Sequence, residues 1–162
     1  MPVGAAMIRK LIDMFKPAAA QATYRLTGPL PAERLGFWAG QFPKYDTIAG
    51  YSSLGHFFLR ASTDNEYIVL HPFKKAAKSY GTFADAGAFE AAVLKDAGFA
   101  EYILRPDHVA SISKRLGPLA SEEIYIPEPY PFLGGGEEPE SYAKGNVWVF
   151  MDIVAQMQGL AD

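Results

Sequence analysis

Three short apolar runs decide the fold: Thr47-Ile48-Ala49-Gly50-Tyr51, His56-Phe57-Phe58-Leu59-Arg60 and Tyr67-Ile68-Val69-Leu70. Each has the length of a strand and is rich in β-branched and aromatic residues, which fit a pleated surface. Between the last two lies Ser62-Thr63-Asp64-Asn65. Asp and Asn tolerate left-handed backbone and hydrogen-bond their own turns, so this tetrapeptide predicts a hairpin and hence an antiparallel pair.

Upstream of these runs, Thr27-Gly28-Pro29-Leu30-Pro31 reads as a loop. Pro31 suits the first turn of a helix, where its missing N–H would be unpaired anyway, and a helix is expected from Ala32 to Gln41 with Leu35, Trp38 and Phe42 inward. Further back, Met7, Ile8, Leu11, Ile12 and Phe15 fall at helical spacing. Arg9, Lys10 and Asp13 interrupt that run, so it is not the apolar core of a signal peptide, and the stripe is expected to pack on its own domain.

Downstream, Phe83, Ala86, Phe89, Val93 and Leu94 approximate one face of a helix over Ala84 to Lys95, with Asp85 and Glu90 outside. Phe99 to Leu104 is apolar but of undecided type. Arg105-Pro106-Asp107 opens a helix that runs to about Leu116 and stops at Gly117-Pro118. Glu122 to Ile126 reads as a strand, and a segment dense in Pro and Gly follows through Gly136. From Asn146 to Gln158 the chain reads as mostly helix, with Val147, Phe150, Met151, Val154 and Met157 on one face. No internal repeat or second core stands out. The expected fold is α+β, a single domain with a small, mostly antiparallel sheet flanked by several helices. Residues 1–44 are expected to be an N-terminal helical segment packed on an α+β domain formed by residues 45–162.

At 162 residues the chain is long enough to bury roughly 70% of its unfolded surface, so a core without staples is possible. Its 49% hydrophobic and 20% charged composition argues against disorder over most of its length. A net charge of −3 lacks the positive field that sequence-independent nucleic-acid binding needs. With no cysteine, disulfides, thiolate metal sites and cysteine nucleophiles are excluded, and cytoplasmic residence is the default.

The usual catalytic signals are weak. His56, His71 and His108 lie on separate elements with no second ligand at metal-binding spacing, so no metal site is expected. Gly50-Tyr51-Ser52-Ser53-Leu54 approaches the nucleophile-elbow pattern, but Leu54 stands where a second Gly is needed and a strand follows instead of a helix. Gly134-Gly135-Gly136 runs into Glu137-Glu138, whose charge repels a phosphate. No catalytic set and no cofactor are therefore expected.

Charge placement is more informative. Between Arg115 and Lys144 there are six acids, Glu122, Glu123, Glu128, Glu137, Glu138 and Glu140, and no base, interleaved with Tyr125, Tyr130 and Phe132. Pro127, Pro129, Pro131 and Pro139 stiffen the stretch, which lowers the entropy lost on docking. An acidic, aromatic, pre-shaped loop suits a basic protein partner, because acids steer encounter and aromatics supply contact area. A solvated loop shielding a sheet edge is the plainer alternative.

Four segments in one order also carry a family resemblance. Leu116-Gly117-Pro118-Leu119, then Glu122-Glu123-Ile124-Tyr125-Ile126-Pro127, then Pro131-Phe132-Leu133-Gly134-Gly135, then Asp152-Ile153-Val154-Ala155-Gln156 resemble the C-terminal domain of type VI secretion immunity proteins that neutralise DNase effectors. Gly55 to Leu59 followed by Tyr67-Ile68-Val69-Leu70-His71-Pro72 is similar to that family's paired strands. Family members often carry a GAD-like domain ahead of this one, and residues 1–44 are too short a stretch to hold it. The resemblance implies a cytoplasmic, non-enzymatic, stoichiometric inhibitor that occludes or distorts a cognate toxin, a nuclease by the family's example, with no direct contact to nucleic acid or membrane. Charge and expected exposure nominate Glu128, Glu137, Glu138 and Glu140 as toxin contacts, with Tyr130 and Phe132 as anchors. The competing expectation is a small-ligand-binding or enzymatic domain that uses the aromatic interior as a pocket, with His56 or His71 as its polar group.

Overall fold

The computed structural model describes residues 20–160. Five strands follow one another as an antiparallel meander in chain order: β1 (Tyr24–Pro31), β2 (Thr47–Ser52), β3 (Phe57–Arg60), β4 (Glu66–His71) and β5 (Ala76–Thr82). The expected hairpin joins β3 to β4, pairing Phe57 with Leu70 and Arg60 with Tyr67. Asn65 takes the left-handed backbone its turn requires, and Asp64 Oδ1 accepts the Glu66 backbone N–H at 3.0 Å. A second, two-stranded antiparallel sheet pairs β6 (Glu123–Pro127) with β7 (Tyr142–Asn146).

The helices are short except for two. They are α1 (Phe37–Gln41), α2 (Ala86–Phe89), which widens into a π turn at Glu90–Leu94, and α3 (Ala97–Phe99), which does the same at Ala100–Leu104. The longer ones are α4 (Pro106–Leu116) and α5 (Val147–Met157). Each start has a side-chain cap where the sequence offers one. Asp85 accepts from Ala88 N at 2.8 Å, Asp96 from Phe99 N at 3.0 Å, and Asn146 Oδ1 from both Trp148 N and Val149 N. No helix among the described residues is long and apolar enough to cross a membrane.

The large sheet carries a core on each face, where a single core is expected from the sequence. Ile48, Phe57, Leu59, Ile68 and Leu70 point to one side, against Trp38 of α1, Val147, Phe150, Met151 and Val154 of α5, and Ile124 and Ile126 of β6. Ala49, Phe58, Tyr67 and Val69 point to the other, against Phe89, Val93, Leu94, Phe99 and Leu104. Burial on both faces explains why β3 and β4 read as continuous apolar runs instead of alternating ones. Trp38 Nε1 donates to the Met151 carbonyl at 2.9 Å, fixing α1 against α5 with its one polar atom satisfied.

Several sequence expectations need correction. The segment Thr27 to Pro31 is the end of β1, paired with β2 across an irregularity between Leu26 and Leu30, and not a loop. Prolines at 29 and 31 hide that strand from sequence reading because they cannot donate to a ladder, and β1 is an edge where this is tolerated. The helix expected over residues 32–41 breaks into a 3₁₀ turn, Ala32–Leu35, and α1, because Gly36 turns left-handed at φ 59°. Leu35 and Trp38 are inward as expected, and Phe42 lies just beyond α1, half-buried against the core. Asp85 is exposed, outside the apolar face as expected, and caps α2. Met157 is exposed, and Ala155 takes an inward place on α5 instead. The amphipathic stripe at Met7 to Phe15 lies outside the described residues.

Gly50 shows how tightly the meander is drawn. A Cβ there would collide with the Arg25 carbonyl oxygen of β1, so only glycine lets the two backbones approach this closely.

Candidate functional site

Residues 128–141 connect β6 to β7 and hold the acidic cluster. The chain folds this loop on itself: Leu133 N and Gly135 N both donate to the Tyr130 carbonyl, and Ser141 N donates to the Glu138 carbonyl at 2.8 Å. At its base Glu128 N donates to Ser141 O at 2.8 Å. Aromatic packing then ties the loop to the domain. The Tyr130 ring lies 5.4 Å from Phe73 and 6.0 Å from Phe150, and Phe132 lies 5.8 Å from Phe73.

The nominated residues thus divide. Glu128, Glu138 and Glu140 are exposed and in no ion pair with a described residue. Glu137 is exposed but engages Arg105 Nη1 at 3.0 Å. Tyr130 is half-buried against the main core, which places it as the loop's tether, while Phe132 lies at the surface. Leu133, 52% exposed beside it, was not singled out from the sequence; its place between Phe132 and the glycines was the available signal. Of the other acids in the run, Glu122 faces Arg34 at 3.7 Å and Glu123 accepts from Ala120 N, both at the start of β6 and away from the loop. Tyr125 is fully buried and donates to the Gly117 carbonyl at 2.7 Å.

Beside the loop opens a cleft of about 360 Å³, bounded by the ends of β3 and β4 and the turn into α4. His56 and His71, from separate elements in the sequence, meet there with ring centres 4.8 Å apart. The register Phe57 to Leu70 makes them cross-strand neighbours, so the hairpin turn and the two run lengths held the signal that would have paired them. Burial foremost, then the charges of His71, Lys74 and Arg105, push His56 down to about 3. Burial and Lys74 also lower His71. Tyr142 also lines the cleft; its hydroxyl lies 3.0 Å from Nε2 of His108, which stands outside it, and burial raises Tyr142 to about 12. Ser52, the serine of the elbow-like motif, is fully buried at the end of β2 with its hydroxyl against His56 Nδ1. No group of three His or acid side chains among the described residues is disposed to hold a metal ion.

Comparison with known proteins bears on the same region. Residues 84–158 match the family described as T6SS immunity protein Tdi1, C-terminal. That stretch includes the loop between β6 and β7 and α5, and the match supports the type VI secretion immunity family and, with it, a role in effector neutralisation. No curated protein matches the chain. Among solved structures, the crystal structure of Atu4351 from Agrobacterium tumefaciens aligns over 96% of this chain and 81% of that one, with a TM-score of 0.58 and 17% identity. At that identity the likeness is one of fold.

Proposed function

From the immunity-family pattern carried by residues 84–158, we propose that this protein binds a cognate type VI secretion effector, a nuclease, one to one and covers or distorts its active site. The observation that carries the reading is the loop between β6 and β7, where Glu128, Glu138 and Glu140 stand exposed around Phe132 on a backbone already held by Tyr130. A pre-shaped loop loses little entropy on docking, and carboxylates in no ion pair with a described residue are free to meet the basic groove of a nuclease. The surface is aromatic at its centre and acidic at its rim, which is how specific interfaces divide contact from steering.

The test is a titration of the effector's nuclease activity with purified protein, alongside the variant E128K/E138K/E140K. Inhibition should be complete at one equivalent. The variant should bind more weakly, with a flatter salt dependence, while its melting temperature stays within about 6 °C of the parent, since exposed substitutions move stability by only about 0.5 kcal/mol each. Undiminished binding by the variant at low salt would remove the loop from the interface. Inhibition at far below one equivalent would show turnover and refute a stoichiometric inhibitor.

A further inference from the structure

The cleft beside the loop has a donor set that docking does not use. Ser52 Oγ accepts the backbone N–H of His56 at 3.0 Å and of Leu54 at 3.3 Å, so its own proton is directed to His56 Nδ1, 2.8 Å away. Nδ1 is then an acceptor, and neutral His56 carries its proton on Nε2. Among the described residues no acceptor meets that Nε2–H, nor is it one of the buried atoms left without a partner, so it opens onto the cleft that His56 lines. His71 beside it makes no hydrogen bond to the described residues through either nitrogen, and Lys74 forms no ion pair with them.

Charge in the cleft is lopsided. Lys74 and Arg105 line it together with the two imidazoles, and the one carboxylate among its described lining residues, Glu137, is occupied by Arg105. The walls are apolar and aromatic: Phe73, Phe132 and Tyr102, the last 75% exposed at the mouth. A volume of about 360 Å³ falls within the roughly 300–1,000 Å³ of small-molecule sites.

We propose that this cleft binds a small phosphorylated organic anion, its phosphate received by Lys74, Arg105 and the Nε2–H of His56 and its planar body lying against Phe132 and Tyr102. Guanidinium and ammonium groups make the strong, charge-assisted bonds that phosphate takes, and a neutral imidazole N–H adds a directed donor between them. Desolvation of the cleft floor keeps those bonds from being screened as they would be at an open surface. Glu137 competes with the ligand for Arg105 and so sets the affinity from outside. This inference does not depend on toxin docking.

The experiment is calorimetric titration of the full chain with adenosine monophosphate and, separately, inorganic phosphate, with histidine proton signals followed by NMR. The nucleotide should bind with a Kd of about 1 mM or tighter and move the signals of His56 and His71. Inorganic phosphate should bind at least about threefold more weakly, because it lacks the planar body. K74Q/R105Q should weaken nucleotide binding by about tenfold or more, the loss expected for two charge-assisted bonds. E137Q, an exposed change that frees Arg105, should tighten it, and this second variant keeps the test decisive if the first melts early. No heat and no histidine shift at about 10 mM nucleotide would overturn the proposal, as would undiminished binding by K74Q/R105Q in a folded protein or equal affinity for phosphate and nucleotide.

Discussion

Replacing His56 with asparagine removes a titrating proton from the cleft while keeping the bond beneath it, because the asparagine Oδ1 can accept the Ser52 hydroxyl proton as Nδ1 does. In the parent protein burial, His71, Lys74 and Arg105 bring His56 from an ordinary 6.5 to about 3. The folded value lies below the unfolded one, so the unfolded chain takes up the proton first as pH falls. Stability from neutral His56 is therefore fully present above pH 6.5 and is lost as pH falls below it. The loss grows by about 1.4 kcal/mol per pH unit until the folded value is reached, and comes to about 2 kcal/mol at pH 5. For a domain of this size that is roughly 4–8 °C in melting temperature.

The assay is a series of thermal melts between pH 7.5 and 5 on parent and H56N. The window stays above the range in which Asp46, Asp64 and Glu66, all held below the usual carboxylate range by their hydrogen bonds, start to protonate. His71 and His108, also lowered, titrate in both proteins, so the difference between the curves isolates His56. The other groups facing the ring, Lys74, Arg105, Glu137 and Tyr142, are unchanged by the substitution. The parent should lose roughly 4–8 °C more than the variant over this range. Parallel curves would refute the claim that His56 is held neutral by its surroundings.

Two further outcomes follow from the packing. Tyr130→Ala should cost about 2 kcal/mol in urea denaturation, because three ring contacts tether the loop through it, whereas Phe132→Ala should cost less than about 1 kcal/mol; equal losses would show that Tyr130 is not the tether. Gly50→Ala should destabilise by more than about 2 kcal/mol and speed amide exchange in β1, since the added methyl meets the Arg25 carbonyl; an unchanged melting temperature would contradict the close approach of β1 and β2.

The sequence alone determined the elements whose signals are local. Short apolar runs rich in β-branched and aromatic residues marked β2, β3 and β4, the Asp-Asn turn marked the hairpin of the last two, and Pro106 with Gly117 bracketed α4. Charge bias likewise marked the loop that holds Glu128, Glu137, Glu138 and Glu140, since a run of acids without bases is visible without coordinates. Strands β5 and β7 were illegible because Ala76 to Thr82 and Tyr142 to Asn146 contain few large apolar residues; they exist because a neighbour offers an open edge to pair with.

Tertiary structure alone decided what the loop acids and the histidines face. Pairing of Phe57 with Leu70 sets His56 against His71, and the return of the loop over β4 brings Glu137 to Arg105 and turns Tyr130 inward to Phe73. These are contacts between residues far apart in the chain, and their geometry depends on strand register and on which face of the sheet is covered. Spacing along the sequence carries neither quantity, so a cleft with two imidazoles, a lysine and an arginine at its wall exists only once the sheet has closed over both of its cores.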